Sequence, residues 1–393
     1  MIVAVKQGAH WFHGLLAYVI WRATGYCVSS LKGVPVHDSG RVCVLQMNAL
    51  GDVLMVTPLL RALIDALGPG RVDVVVREHA VPLLENFPGL GEVIPLARPL
   101  RWRDPPSVVA FFRLAKKLRA RRYRAVFDGS RLLQSAWLTY LAQAGRGIGF
   151  RVPRNLGPFT LEGLGYLYTD EVSIDPSAHM IRHNLALLAP LDIAPASERI
   201  QFAPTATHVS AALAWLSASG MKPDQPYVVL HPGAKWPPKR WPIERFREVA
   251  ARLQHSGLVV ILVGDKTDER VLRAIATALV PPPLVSVGEL DLGAVGALIR
   301  QARLFLGNDS GLMHMASAVG TPIVAMFGPT LPHRTGPLDA LGCAIMKPIE
   351  CRPCRLYYTR DRCERGHNYC MDLIEVEDVW SAATSMLEQK ERA

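Results

Sequence analysis

Gly307 to Pro329 reads GNDSGLMHMASAVGTPIVAMFGP, and its twenty-three residues hold the end of one strand, the start of a helix and a second strand. Leu304 to Leu306 form an apolar run of the kind that ends a buried strand. Asp309 and Ser310 are residue types that cap helix N-termini, and Gly311 suits a place where something comes close to the backbone. The helix is expected to end near Gly320. The first turn of a helix leaves N–H groups unpaired and carries the positive end of the helix dipole, which favours a neighbouring negative charge by roughly 0.3–1 kcal/mol at exposed sites. A diphosphate suits that position. Capping of a core helix explains Asp309 and Ser310 as well as binding does, and His314 could face the cap or the core. The segment alone leaves both readings open.

Outward from it, the same alternation recurs. Val42–Met47, Val72–Val76 and Ala125–Asp128 read as strands in the first half; Tyr227–Leu230, Leu258–Val263, Val285–Val287 and Ile323–Met326 do so in the second. Strands alternating with helical stretches predict an α/β fold with parallel sheets covered on both faces, and ligands in such sheets sit beyond the carboxyl ends of strands. A chain of 393 residues is long for a single core. The division expected is an N-terminal extension over 1–40, a first domain over 41–195, a linker region over 196–225 with a helix near Val209 to Ser219, and a second domain over 226–393. The two sheets are expected to face a cleft.

The formal net charge of +10 favours an anionic partner: nucleic acid, a membrane surface or a phosphorylated substrate. Arg101 to Arg124 contains nine Arg or Lys against one acid, Asp104. That run is either a solvated helix face or the neighbour of an anion. No aromatic-interleaved stacking pattern or zinc-finger spacing accompanies it, so nucleic acid is not an expected partner. Trp11, Phe12, Leu15, Leu16, Tyr18, Val19, Ile20 and Trp21 cluster near the N-terminus. This stretch is too short for a bilayer span, which needs about 20 apolar residues, and lacks a clear small-residue cleavage site. It is expected to lie on a membrane surface or to pack against the first domain.

Seven cysteines without a signal peptide fit a reducing compartment. Cys351-x2-Cys354, followed by Cys363 and Cys370, brings together four thiols that could bind zinc. The later pair is spaced more widely than zinc motifs usually are, so a cysteine-rich structural loop is the simpler reading and no metal is expected.

Several strand-end loops of the second half carry ligand-compatible residues: Gly233 and Ala234, Lys239 and Arg240, Gly264 and Asp265, and Asn308 to Gly311. Small residues let a backbone approach a phosphate, and Lys239 can neutralise a departing diphosphate; neither G-x-G-x-x-G nor a Walker A pattern occurs at these loops. In the first half, Leu50-Gly51-Asp52 sits where a strand gives way to a helix. Asp52 is then either a helix cap or a general base for an attacking hydroxyl, a role worth roughly 10²- to 10⁴-fold. No Asp-x-Asp pair occurs in the sequence. A metal bridging a nucleotide diphosphate is therefore not expected, and Lys239 with helix dipoles would do that work.

LQMNALGDVLMVTPLLRAL (45–63), HPGAKWPPKRWPIERF (231–246), LVGDKTDER (262–270), GNDSGLMHMASAVGTPIVAMFGPTLPHRTGP (307–337) and the CxxC-containing tail resemble glycosyltransferase family 9, the bacterial lipopolysaccharide heptosyltransferases. The tail is similar to that of the heptosyltransferase II-like branch. The resemblance runs in order from about residue 42 to 380 and implies a GT-B fold of two Rossmann-like domains. It also implies inverting transfer from ADP-heptose to the inner core of lipopolysaccharide. It assigns the catalytic base to Asp52 and donor contacts to Gly233, Ala234, Lys239, Asp309, Ser310, Gly311 and His314, with a nucleoside-binding acid near Asp265. Some family members carry hydroxyl side chains where this chain has Gly233-Ala234, so backbone N–H groups would replace them. The enzyme is then expected to be a cytoplasmic monomer, peripheral on the inner face of the inner membrane, with nucleotide-sugar donor and lipopolysaccharide core as substrates and no cofactor. Another nucleotide sugar, or epimerisation on the same fold, is the alternative.

Overall fold

The computed structural model describes residues 40–151, 167–338, 341–354, 363 and 368–392. Residues 1–39, on which the expected membrane-surface helix falls, lie outside them. Strand β1 (Val42–Gln46) is buried along its whole length, as an apolar run flanked by helices on both faces should be. It lies at the centre of a six-stranded sheet ordered β3-β2-β1-β4-β5-β6, with β2 at Val72–Arg77, β3 at Val93–Leu96, β4 at Ala125–Asp128, β5 at Arg146–Phe150 and β6 at Asp170–Val172.

The second half repeats this winding. Strands β7 (Tyr227–His231), β8 (Val259–Gly264), β9 (Leu284–Val287), β10 (Phe305–Asn308), β11 (Ile323–Met326) and β12 (Gly342–Ile345) form a second six-stranded sheet ordered β12-β11-β10-β7-β8-β9. Every pairing in both sheets is parallel. The strand order therefore reverses beside β1 in one unit and beside β7 in the other, which opens a crevice at the carboxyl ends of β1 and β4 and of β7 and β10.

Strands β3, β5, β6 and β12 are absent from the sequence reading, and all lie at or next to a sheet edge. β3 contains Pro95, β5 two glycines and β6 two acids, so none carries a long apolar run. Pro242 is the N-cap of the helix Ile243–His255. The helix Ala206–Ala218 is capped by Thr205, whose side chain accepts from His208 N, and it packs on the helix Leu292–Gln301 of the second unit.

Part of the basic run has a structural use. Asp73 of β2 is fully buried. Arg41 pairs with it, Arg121 Nη1 donates to it at 2.7 Å, and the Tyr123 hydroxyl donates to it at 2.7 Å. Burial pushes this carboxyl up, but the Glu92 N–H, Tyr123 and Arg41 more than offset it and hold it below the usual carboxylate range. Lys117 is likewise turned back onto Glu92 at 2.6 Å. The helix Pro105–Ala120 thus keeps only its outer cations for other purposes. One apolar cluster runs from Leu54 and Met55 in the first half to Met313 and Met315 in the second, so a dry seam joins the two units.

Candidate active site at the seam

Two short helices meet at this seam. Leu50–Met55 follows β1 and Gly311–Val319 follows β10, and they pack against each other. Small residues make the contact possible. A Cβ on Gly51 would run into the His314 ring, and one on Gly311 would stand 3.3 Å from Leu50 Cβ. What comes close to the backbone at Gly311 is therefore the first unit itself. Gly51→Ala is expected to destabilise the protein by roughly 1–3 kcal/mol through overpacking of this contact. Urea denaturation checks the expectation.

Asp52 is the third residue of its helix and sits at the seam. Its Oδ2 accepts the Ala49 N–H at 3.2 Å, and Gln46 Nε2 donates to its backbone oxygen at 2.8 Å. Burial raises the affinity of its carboxyl for a proton above the ordinary value, and the Ala49 N–H, Arg131 and Lys239 only partly counter this. Asp309 across the seam adds to the rise. Arg131 adopts a left-handed backbone (φ 56°) just after β4, and its guanidinium lies 4.3 Å from the centroid of the Phe150 ring.

The opposite wall is built around Asp309, which is 4% exposed. Lys239 Nζ donates to its Oδ2 at 2.7 Å and Thr330 Oγ1 to the same atom at 2.6 Å. Burial alone would push this carboxyl up; Lys239, His314 and Thr330 overcome it and hold it below the usual range. The capping reading of Asp309 and Ser310 is not what forms. Ser310 occupies the N-cap position, yet no side chain caps this helix; the Asp309 carboxylate is turned to Lys239 and Thr330 instead. The Ser310 hydroxyl is buried without a hydrogen-bond partner. A nine-residue helix thus points an uncapped N-terminus and an unsatisfied hydroxyl at the seam. Such a pair is costly unless a ligand supplies acceptors.

His314 resolves neither to cap nor to core. It is 7% exposed and faces Gly51 of the other unit. Burial lowers its pKa to about 4 despite the Asp309 charge, so the ring is neutral near pH 7. The loop after β7 is strapped to the same wall: Asn308 Nδ2 donates to Pro232 O at 2.8 Å while its Oδ1 accepts Trp241 N–H at 3.0 Å. A Cβ on Gly233 would collide with the Asp268 carboxylate. Asp268 pairs with Arg240 at 3.3 Å, and Arg240 Nε donates to Ala234 O at 3.0 Å.

The structure thus gathers Asp52, Lys239, Asp309, Ser310, Gly311 and His314 at one seam, with Gly233 and Ala234 on the adjoining loop. Asp265 is exposed and its Oδ1 accepts from Thr267 N–H at 2.7 Å. Among the described residues, no hydrogen bond or ion pair joins Asp265 to the Lys239–Asp309 pair. Arg131, Thr330 and Asp268 escaped the sequence reading. Thr330 directly follows the decisive segment, Asp268 lies in LVGDKTDER, and Arg131 ends the turn after Asp128-Gly129-Ser130; a search of every strand-end turn would have reached all three. The four late cysteines line one cavity with Trp236 and Pro238, beside Lys239. Among the described residues no three His, Cys, Asp or Glu are arranged to hold a metal ion.

The sequence profile of glycosyltransferase family 9 (heptosyltransferase) matches residues 111–363, more than half of the chain. Lipopolysaccharide heptosyltransferase 2 of Salmonella typhimurium is 28% identical over 76% of this chain and 86% of its own length. Lipopolysaccharide heptosyltransferase 3 of Escherichia coli is 26% identical over 72% and 82%. Among solved structures, a family 9 glycosyltransferase from Veillonella parvula superposes with a TM-score of 0.76 at 22% identity, covering 90% of this chain and 99% of its own. ADP-heptose heptosyltransferase II of E. coli gives 0.71 at 24%, covering 89% and 99%. These likenesses bear out the expected GT-B fold.

Proposed function

Because this chain belongs to glycosyltransferase family 9, we propose that it is an inverting heptosyltransferase that moves a heptose from ADP-heptose to the inner core of lipopolysaccharide. The observation that carries the reading is the placement of Asp52, a half-buried carboxylate of raised basicity, opposite an uncapped helix N-terminus beside Lys239. The relatives named as lipopolysaccharide heptosyltransferases supply the sugar and the acceptor class.

In this reading the donor diphosphate lies on the N-terminus of Gly311–Val319, where Ser310 Oγ and the first backbone N–H groups, Gly311 among them, donate to it. Lys239, already positioned by Asp309, and the backbone at Gly233 and Ala234 hold the same phosphates, and His314 donates from its neutral ring. Asp265 takes the nucleoside. Asp52 removes the proton from an acceptor hydroxyl as that oxygen attacks the anomeric carbon. The bond to the diphosphate breaks on the opposite face, so the configuration inverts. Arg131 supports the phosphorylated acceptor beside Asp52. Charge on departing ADP is met by Lys239 and helix dipole, in a dry seam where such groups act most strongly.

The enzyme works as a cytoplasmic monomer at the inner face of the inner membrane. Among the described residues no helix is long and apolar enough to cross a membrane. Calorimetry should find ADP binding at least about tenfold tighter than UDP, the ratio that about 1.4 kcal/mol of base discrimination gives. Chelation with EDTA should leave turnover unchanged. Activity lost on chelation and restored by magnesium would contradict the metal-free mechanism.

A further inference from the structure

Of the eight large hydrophobic residues exposed among the described residues, three fall within eleven positions: Trp102 (41%), Val109 (47%) and Phe112 (44%). They belong to the turn before the helix Pro105–Ala120 and to its outer face. Val109, Phe112, Arg113 and Lys116 recur at three- and four-residue spacing and so form one stripe. All four are exposed, while Phe111, Leu114, Ala115 and Leu118 turn inward. Lys117 and Arg121 are paired with Glu92 and Asp73, but Arg113 and Lys116 form no ion pair among the described residues. The surface thus offers apolar side chains set among cations.

Its position in the fold matters too. The turn that carries Trp102 follows the carboxyl end of β3, and Leu100 N–H donates to Gln134 Oε1 at 2.9 Å. All strands of this sheet run parallel, so the turn lies at the same carboxyl end of the sheet as Asp52.

We propose that this face is a bilayer-docking surface: Trp102, Val109 and Phe112 enter the headgroup region of an anionic membrane while Arg113 and Lys116 engage its phosphates. Exposed aromatic and aliphatic side chains flanked by cations are what an interfacial helix needs, whereas a nucleic-acid surface would not gain from the exposed aliphatic Val109. Docking there brings the carboxyl end of the sheet, where Asp52 lies, near the membrane, where a lipid-linked acceptor is found; that last point rests on the transferase reading above.

Flotation of the purified full chain with phosphatidylcholine vesicles, with and without phosphatidylglycerol, tests the proposal without any substrate. Binding should require the anionic lipid and weaken with salt. Arg113→Gln with Lys116→Gln should lower the partition coefficient roughly 30-fold, since each cation near an anionic surface is worth about 1 kcal/mol. Trp102→Ser with Phe112→Ser should lower it roughly tenfold or more. Both pairs are exposed, and unchanged melting temperatures would show that the fold is intact. Transfer to a delipidated, soluble core acceptor should be unaffected, so failure of the docking surface and failure of the transferase reading are distinguishable. Wild-type partition in both variants places docking elsewhere and overturns the proposal. So does a preference for oligonucleotide over anionic vesicles that depends on Arg113 and Lys116 alone.

Discussion

Asp52→Asn is expected to lower kcat by roughly 10²- to 10⁴-fold, the range over which a positioned general base contributes, with ADP affinity unchanged. Asparagine keeps an acceptor for the Ala49 N–H, so the helix start survives and only the proton acceptor is lost. The pH profile adds an independent readout. Burial raises the Asp52 pKa above 3.8, so the wild-type rate should fall on acidification at a pH above that of an ordinary aspartate, and the variant should lack this limb. Stability moves the other way. The folded state holds the proton more tightly than the unfolded chain, so the stabilising contribution is full below the unfolded pKa and is lost as pH rises through the folded one. At pH 7 the ionised carboxylate is a burden, and Asp52→Asn should melt higher than wild type. A variant that keeps its activity would remove Asp52 from the mechanism.

The second large effect lies across the seam. Lys239→Ala should cost about 3–5 kcal/mol of stability, because it leaves the Asp309 carboxylate buried without its cation. The two side chains are 14% and 4% exposed, so water cannot replace the lost partner, and Thr330 alone donates to the same oxygen. The double change Lys239→Met with Asp309→Asn should recover most of that stability, since it removes both charges together, but it should not recover turnover. Urea denaturation of the single and double variants beside an activity assay separates the two roles. If the double variant were both stable and active, Lys239 would have no part in stabilising the leaving group.

Central strands and strand-end loops were legible because they carry apolar runs ending in small or polar residues. Val42–Gln46, Ala125–Asp128 and Ile323–Met326 are such runs, and each is buried throughout. Edge strands such as Asp170–Val172 were not, because an edge buries too little to demand an apolar pattern. At the site, residue types were legible and their partners were not. Asp309 and Ser310 look like caps because the local sequence shows only the helix that they precede; the lysine that takes Asp309 away lies seventy positions earlier. His314 was undecidable for the same reason. Its neighbour is Gly51, from the other half of the chain, and a contact at that separation leaves no local periodicity. The basic run was half misleading: Lys117 and Arg121 serve Glu92 and Asp73 inside the first unit.

The most direct measurement is mass spectrometry of the products formed when the purified protein is incubated with ADP-heptose and a truncated lipopolysaccharide core. The expected result is an acceptor heavier by one heptosyl residue, with stoichiometric ADP, inverted anomeric configuration by NMR, and product formation slowed roughly 10²- to 10⁴-fold in the Asp52→Asn variant. An acceptor left unchanged while the donor sugar is isomerised, or product formed equally by that variant, would contradict it.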